Sequence, residues 1–156
     1  MSEENSKNLG KQKIERILVA VDKSGYKEKI ISYGIILAKG SGASVTAIHV
    51  VDKSTVEGIR DVFGGKVGEY ENAVKKKSEQ LLADVQQILE KQGIKTSTEV
   101  ITNKSIARGI IDYARESGAD VIVIGTKGLT GIDKFLMGGV ASSVINNAHC
   151  PVVAIR

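Results

Sequence analysis

The feature that most constrains the fold is a regular alternation of short apolar runs with amphipathic segments. The apolar runs are rich in Ile and Val and end at turn residues, which is typical of strands buried on both faces. The segments between them carry apolar residues at intervals of three and four, which is typical of helices that pack by one side. The predicted strands cover residues 14–22, 43–51, 94–101, 120–125 and 151–155, and the predicted helices cover 26–39, 70–92, 105–116 and 140–147. Ser105 is predicted to cap the third helix, and Gly40-Ser41-Gly42 and Gly93 are predicted to end the first and second.

A strand followed by a helix, repeated four times and closed by a fifth strand, predicts an α/β fold. The sheet is expected to be parallel, with helices on both faces. Right-handed crossovers and a reversal of winding leave a ligand crevice at the carboxyl ends of such strands. Residues at the ends of strands one and four are therefore candidates for a common ligand site. Residues 53–66 contain two adjacent glycines, Gly64 and Gly65, and have no clear period, so they are predicted to be a loop. The polar residues 1–13 are predicted to be an N-terminal tail before a single domain over 14–156.

Composition excludes several classes of protein. The chain has 156 residues, of which 42% are hydrophobic, and this is enough for one core. No apolar run reaches the ~18–20 residues of a membrane helix, and the N-terminus lacks the apolar stretch of a signal peptide. A single Cys forms no internal disulfide, so we expect a cytoplasmic protein. The net charge of +4 is spread among interleaved acids and bases, and aromatic residues make up only 4%, so we expect no nucleic-acid partner.

A glycine-rich stretch follows the fourth predicted strand. Gly125-Thr126-Lys127-Gly128 leaves that strand, and Gly138-Gly139 opens the last predicted helix. Glycines at these places let the backbone approach a ligand closely, and free amides at a helix start suit a phosphate. The same glycines also fit tight turns without a ligand. A Walker A loop requires Lys followed by Ser or Thr directly after its last glycine, whereas Lys127 precedes Gly128, so this motif is excluded. A dinucleotide fingerprint is excluded because no GxGxxG follows the first strand.

Three segments resemble the universal stress protein family. The stretch GTKGLTGIDKFLMGGVASSVINNAHCPVVAI is similar to the family's G-x2-G-x9-G signature, with Gly125, Gly128 and Gly138 at the glycine positions. The run ILVAVDKS is similar to the family's opening strand with its terminal Asp, and His49-Val50-Val51-Asp52 is similar to the end of the second strand. These landmarks cover residues 14–156, so the resemblance extends over the whole domain.

The resemblance implies a five-stranded sheet of order 3-2-1-4-5, as in adenine nucleotide alpha hydrolase-like folds. It also implies ATP or a related adenine nucleotide, with or without Mg²⁺, at the switch point between strands one and four. The residues implied near adenine and ribose are Ala20, Val21, Asp22 and Val50. Those implied around the phosphates are Gly125, Thr126, Lys127, Gly128, Gly138, Gly139, Val140 and Ala141. A homodimer through the last strand, residues 151–155, is implied as well, and the uncovered apolar edge of that strand favours pairing with a second copy.

Some positions depart from the family's pattern. The Ser or Thr expected after the third glycine is Gly139, and Ala141 lacks a hydroxyl often found two residues later. Upstream, Lys104-Ser105-Ile106 stands where many relatives carry G-x-P. One charge-assisted hydrogen bond contributes ~1.5–3 kcal/mol, so its loss weakens affinity about tenfold or more without abolishing binding. We expect ATP binding to be retained.

Other polar residues have simpler explanations than catalysis. Asp22 is expected to contact ribose or a Mg²⁺-bound water, or else to cap the next helix. His49 lies in a strand and is expected to be packed. His149 and Cys150 are adjacent but lack further metal ligands, and Cys150 should behave as a small hydrophobe. The spacing supports no Ser-His-Asp or Cys-His set.

The sequence therefore predicts a stress protein that acts by binding a nucleotide rather than by turnover, with an unidentified protein partner and no membrane association. No positioned base or arginine finger is evident, and the HxGH and SGGxDS elements of adenylate-forming enzymes do not occur in the sequence. The alternative is a nucleotide-free member of the same family that works as a dimeric interaction module.

Overall fold

The computed structural model describes residues 3–7, 9–63, 66–126 and 139–156. The strands in this part of the chain are β1 (Arg16–Ala20), β2 (Ser44–Asp52), β3 (Thr96–Asn103), β4 (Val121–Gly125) and β5 (Val152–Ile155). The helices are α1 (Glu3–Ser6), α2 (Lys27–Ser41), α3 (Lys53–Phe63), α4 (Val67–Lys91), α5 (Ile106–Ser117) and α6 (Gly139–Asn147).

The strands form one parallel sheet in the order β3-β2-β1-β4-β5. β1 is the middle strand, with Leu18 opposite Thr46 of β2 on one side and Ile122 of β4 on the other. The chain moves outward from β1 to β2 and β3, then returns to the other side for β4 and β5, so its winding reverses at β1. The predicted fold class and strand order are confirmed.

Two hydrophobic layers cover the two faces of the sheet. Alternate residues of β1 point to opposite faces, so Ile17 and Val19 pack in the layer that contains α2 and α4. Leu18 packs in the layer that contains α5 and α6. Because both faces are covered, the carboxyl edge of the sheet is left as the place where a small ligand can reach several strands at once.

The prediction of a loop over residues 53–66 is wrong, because α3 occupies most of that range. Val56, Ile59 and Phe63 recur at intervals of three and four, which is helical spacing. The adjacent glycines that suggested a loop follow the last residue of α3 rather than interrupting it. α3 follows β2 directly, so it stands at the carboxyl edge of the sheet.

Local signals at helix ends are confirmed. Ser105 caps α5, because its hydroxyl oxygen accepts a hydrogen bond from the Arg108 amide at 3.2 Å. Gly42 and Gly93 end α2 and α4 with φ angles of 75° and 76°, a left-handed conformation that glycine adopts at low cost. The predicted tail contains one helical turn, α1. None of the described helices is both long and apolar enough to cross a membrane.

Candidate ligand site

A cavity of about 450 Å³ lies at the carboxyl edge of the sheet, within the size range of small-molecule sites. The hydrogen-bond pattern at the switch point explains where it opens. β1 and β4 pair from Ile17 to Ala20, and then the two strands part. The Val21 amide donates to Ile48 of β2 at 2.9 Å, whereas the Thr126 amide donates to Ile155 of β5 at 2.8 Å.

Most of the predicted site residues line this cavity. The lining includes Ala20, Val21, Asp22, Val50, Gly125, Thr126, Gly139, Val140 and Ala141. The remaining three, Lys127, Gly128 and Gly138, lie outside the described residues. The fold thus brings the ends of β1, β2 and β4 and the start of α6 to one place, and the contact of these residues with a ligand stays a prediction.

The start of α6 supplies backbone donors to the cavity. Gly139 is the first residue of α6, and the first amides of a helix have no partner within it. Gly139, Val140 and Ala141 all line the cavity. A Cβ added to Gly139 would meet no atom of the described residues within 4 Å. This end of the cavity therefore suits an anionic group, since the partial positive charge of a helix N-terminus adds to the free amides.

Asp22 stands where the chain leaves β1. Its Oδ1 accepts a hydrogen bond from the Ser24 amide at 2.8 Å, which forms the turn that leads to α2. Tyr26, not Asp22, is the N-cap of α2, and no side chain caps this helix end. Within the described residues, Oδ2 of Asp22 makes no hydrogen bond, so the half-buried carboxylate has an oxygen free to accept ligand hydroxyls.

Asp52 provides a second carboxylate to the cavity. From the sequence it was recognised only as the end of the second predicted strand, not as a site residue. Its Oδ1 accepts hydrogen bonds from both the amide and the hydroxyl of Ser54. These bonds hold the pKa of Asp52 below its ordinary value, because they stabilise the charged form. Asp52 is therefore anionic at neutral pH, and its charge disfavours a phosphate at the β2 end of the cavity.

His49 lines the cavity from β2 and is half-buried, in agreement with its predicted packing. Its Nδ1 lies 2.9 Å from the main-chain carbonyl of Val21. A carbonyl only accepts hydrogen bonds, so Nδ1 carries the proton and donates it. The bond fixes the segment that carries Asp22.

Thr126 is buried, and its hydroxyl is already used. Oγ1 donates to the carbonyl of Ile155 at 3.1 Å, and the Thr126 amide donates to the same oxygen. Its side chain thus joins the exit of β4 to β5 rather than offering a free hydroxyl proton to a ligand.

Sequence reasoning missed the walls formed by α3, α4 and α5. These helices add apolar and aromatic residues to the cavity lining: Val56, Tyr70, Val74, Ile106 and Ile110. The helical spacing of Tyr70 and Val74 was recognisable, but which face of α4 meets the cavity depends on how α3 packs beside it. No group of three metal-ligating side chains occurs among the described residues.

This fold and cavity define a doubly wound α/β protein with a cavity at the switch point of its sheet. The model of the universal stress protein family matches residues 13–156, and the chain belongs to this family.

Two curated relatives span nearly the same length. The chain is 34% identical over 152 residues to universal stress protein MJ0531 of Methanocaldococcus jannaschii, covering 97% of this chain and 85% of that protein. It is 30% identical over 146 residues to universal stress protein YxiE of Bacillus subtilis, covering 90% of this chain and 98% of that protein.

Solved structures share the fold. Universal stress protein UspA from Lactobacillus plantarum has a TM-score of 0.79 at 24% identity, covering 93% of this chain and 99% of that one. The universal stress protein from Archaeoglobus fulgidus in complex with dAMP has a TM-score of 0.66 at 26% identity, covering 91% of this chain and 98% of that one. A universal stress protein in complex with cAMP has a TM-score of 0.65 at 14% identity, covering 93% of this chain and 98% of that one. Adenine nucleotides are thus ligands of relatives within this family.

Proposed function

We propose that this protein binds an adenine nucleotide, with ATP as the leading ligand, and acts through binding rather than turnover. The observation that carries the proposal is the parting of β1 and β4, which opens a cavity beside the start of α6, where the first amides have no partner within the helix. The Archaeoglobus fulgidus relative in complex with dAMP, at 26% identity, supports an adenine nucleotide as the ligand class.

The chemistry of the cavity gives the ligand one favoured direction. The phosphates lie at the start of α6, where Gly125 and Gly139 let them approach the backbone. The ribose hydroxyls reach Asp22, whose Oδ2 accepts them. The base lies toward Val50 and the apolar walls of the cavity. Mg²⁺, where present, is held by the phosphates and water, since no three-ligand protein set occurs in the described part of the chain.

Calorimetric titration with ATP, with and without Mg²⁺, tests the proposal. We expect saturable binding by the wild type and its loss in Gly125→Val, because a branched side chain at the strand exit fills the space for the phosphates. Gly40→Ala is the matched control, since a Cβ there meets no atom of the described residues within 4 Å and Gly40 does not line the cavity. No heat at millimolar ATP would contradict the proposal and favour the nucleotide-free interaction module.

We also propose that the protein forms a homodimer through β5. This strand is at the border of the sheet and pairs only with β4 among the described strands. The Ile122 amide donates to the Pro151 carbonyl, and the Thr126 amide donates to the Ile155 carbonyl, so the carbonyls of residues 151 and 155 point toward β4. The backbone groups of Val152 and Ala154 therefore point outward, where a second copy can pair with them.

Because the backbone N–H of Ala154 points away from β4, substitutions at this position test the proposed dimer. Ala154→Pro removes an outward N–H without removing a bond to β4, so it is expected to yield a folded monomer. Ala154→Ser keeps the N–H and is expected to remain dimeric. Sedimentation of the wild type as a monomer at tens of micromolar would contradict the dimer.

A further inference from the structure

The cavity has two ends of different chemistry, because different elements stand on the two sides of β1. β4 and α6 lie on one side and contribute Gly125 and the α6 amides. β2 lies on the other side and is followed directly by α3, which packs against α4. A ligand that spans the cavity therefore has one end at α6 and the other at the α3–α4 pair.

Beyond Asp52 and Thr55, the α3–α4 end is lined by apolar side chains and an aromatic ring. Val56 of α3 is 9% exposed, and Tyr70 of α4 is half-buried. Val74 follows Tyr70 by four residues, so both lie on the same side of α4, and both line the cavity. Among the described cavity-lining residues, Tyr70 is the only Phe, Tyr or Trp.

The Asp52 charge disfavours the reverse orientation of a nucleotide. The Asp52 carboxylate lines the cavity at the β2 exit, immediately before α3. The nearby Lys53 ammonium lies 3.8 Å from a Glu57 carboxylate oxygen on the exposed surface of α3. Phosphates at this end would meet an unfavourable carboxylate and apolar walls, whereas at α6 they meet free amides.

We propose that Tyr70 stacks on the purine base and that this contact provides the part of the affinity that the base contributes. The inference rests on the proposed nucleotide function and adds a residue, outside the glycine-rich segment, that recognises the other end of the ligand. Aliphatic side chains such as Val50 and Ile106 complete the apolar surroundings of the base. Stacking on an aromatic side chain is worth roughly five- to 150-fold in affinity and tolerates different bases.

Calorimetry with ATP, AMP and adenosine tests the role of Tyr70. Tyr70→Leu keeps an apolar side chain but removes the ring, so all three ligands should bind about tenfold more weakly. Their affinity ratios should stay unchanged, because the base is common to them and the phosphate end is intact. Tyr70→Phe keeps the ring and should restore most of the affinity. Tyr33→Leu is the matched control, since Tyr33 is 41% exposed on α2 and does not line the cavity.

A second measurement in the wild type does not depend on how the variants fold. Nuclear Overhauser contacts between adenine H8 or H2 and the ring protons of Tyr70 should appear in the complex. Absence of these contacts, or a Tyr70→Leu affinity equal to that of the folded wild type, overturns the stacking role while leaving nucleotide binding in place. If the wild type binds none of the three ligands, the proposed function itself is contradicted, so the two results can be told apart.

Discussion

The His49 imidazole donates a hydrogen bond from Nδ1 to the main-chain carbonyl of Val21 over 2.9 Å. The Val21 amide in turn donates to Ile48 at 2.9 Å, so both backbone polar groups of Val21 are held by β2. Val21 is the first residue after β1, and the next residue is the cavity carboxylate Asp22. The bond from His49 therefore fixes the point at which the chain leaves the sheet and the position of the group expected to meet ribose.

Replacing His49 should affect both stability and ligand binding. His49→Phe keeps a ring of similar size but leaves the Val21 carbonyl without its partner, which should lower the free energy of unfolding by ~1–3 kcal/mol. Nucleotide affinity should also fall, because Asp22 is no longer held in place. Urea unfolding and calorimetry measure the two effects.

The chain offers a matched control for this change. His149 makes the same kind of bond, from Nε2 to the Ala119 carbonyl at 3.1 Å, at the opposite edge of the sheet. His149→Phe should lower stability by a similar amount and leave nucleotide affinity unchanged. Equal losses of affinity in the two variants would mean that His49 acts only through general stability.

A hydroxyl at position 139 should strengthen nucleotide binding. A Cβ at Gly139 meets no described atom within 4 Å, and the position lines the cavity at the start of α6. Gly139→Ser adds a donor beside the free amides and should tighten ATP binding about tenfold, measured by calorimetry. Gly139→Ala has the same backbone restriction without the hydroxyl and should bind like the wild type. Equal gains in both variants would attribute the effect to backbone stiffening instead.

Gly109 of α5 is held against the wall of the cavity. A Cβ added there would lie 2.8 Å from Cγ1 of Val50 and 3.3 Å from the Cβ of Asn103. Gly109→Ala should therefore destabilise the fold by ~1–3 kcal/mol through overpacking, despite the higher helix propensity of Ala. It should also weaken nucleotide binding, because Val50 has to shift. Thermal unfolding and titration check both outcomes.

Gly40→Ala separates packing from propensity. Gly40 lies in α2, and a Cβ there would contact nothing within 4 Å in the described part of the chain. This change should therefore leave stability equal or raise it by ~0.4–1 kcal/mol. A Gly109→Ala protein as stable as Gly40→Ala would contradict the close approach of α5 to β2.

The sequence predicted those parts of the molecule that depend on local pattern. The apolar run of β1 and the Ser105 cap involve neighbouring residues, so periodicity and capping rules were sufficient. The loop prediction for 53–66 failed because the glycine pair outweighed the helical spacing of α3.

The walls of the cavity depend on contacts between residues that are distant in the sequence. Tyr70 meets the cavity only because α3 and α4 pack beside each other after β2, and no local pattern encodes that placement. The His49–Val21 bond spans 28 residues and the Thr126–Ile155 bond spans 29, so both require the assembled sheet. The glycine-rich stretch and the ends of β1 and β2 were recognised from the sequence as parts of a candidate site, whereas the cavity walls from α3 and α4 became visible only in three dimensions.

Asp120 joins the amino ends of β4 and β1 and should make stability depend on acid pH. Its Oδ2 accepts hydrogen bonds from the Glu15 and Arg16 amides at 2.9 and 2.8 Å, and these bonds hold its pKa below the ordinary value. The stabilisation is therefore fully present above an unfolded pKa of ~3.9 and is lost as pH falls through the lower folded pKa. Asp120→Asn retains one acceptor oxygen but no charge, so it should cost on the order of 1 kcal/mol at pH 7 after allowance for solvent screening.

The difference between the wild type and Asp120→Asn should shrink as the pH is lowered. Urea unfolding from pH 7 to about pH 2.5 should give two stability curves that approach each other toward the acid end, because protonation removes the charge that distinguishes Asp120 from Asn. Glu116→Gln is the control, since Glu116 is exposed near the end of α5, and its curve should follow that of the wild type throughout. A difference in the free energy of unfolding that stays constant at every pH would contradict this prediction. Asp120 would then join β1 to β4 without any contribution from its charge.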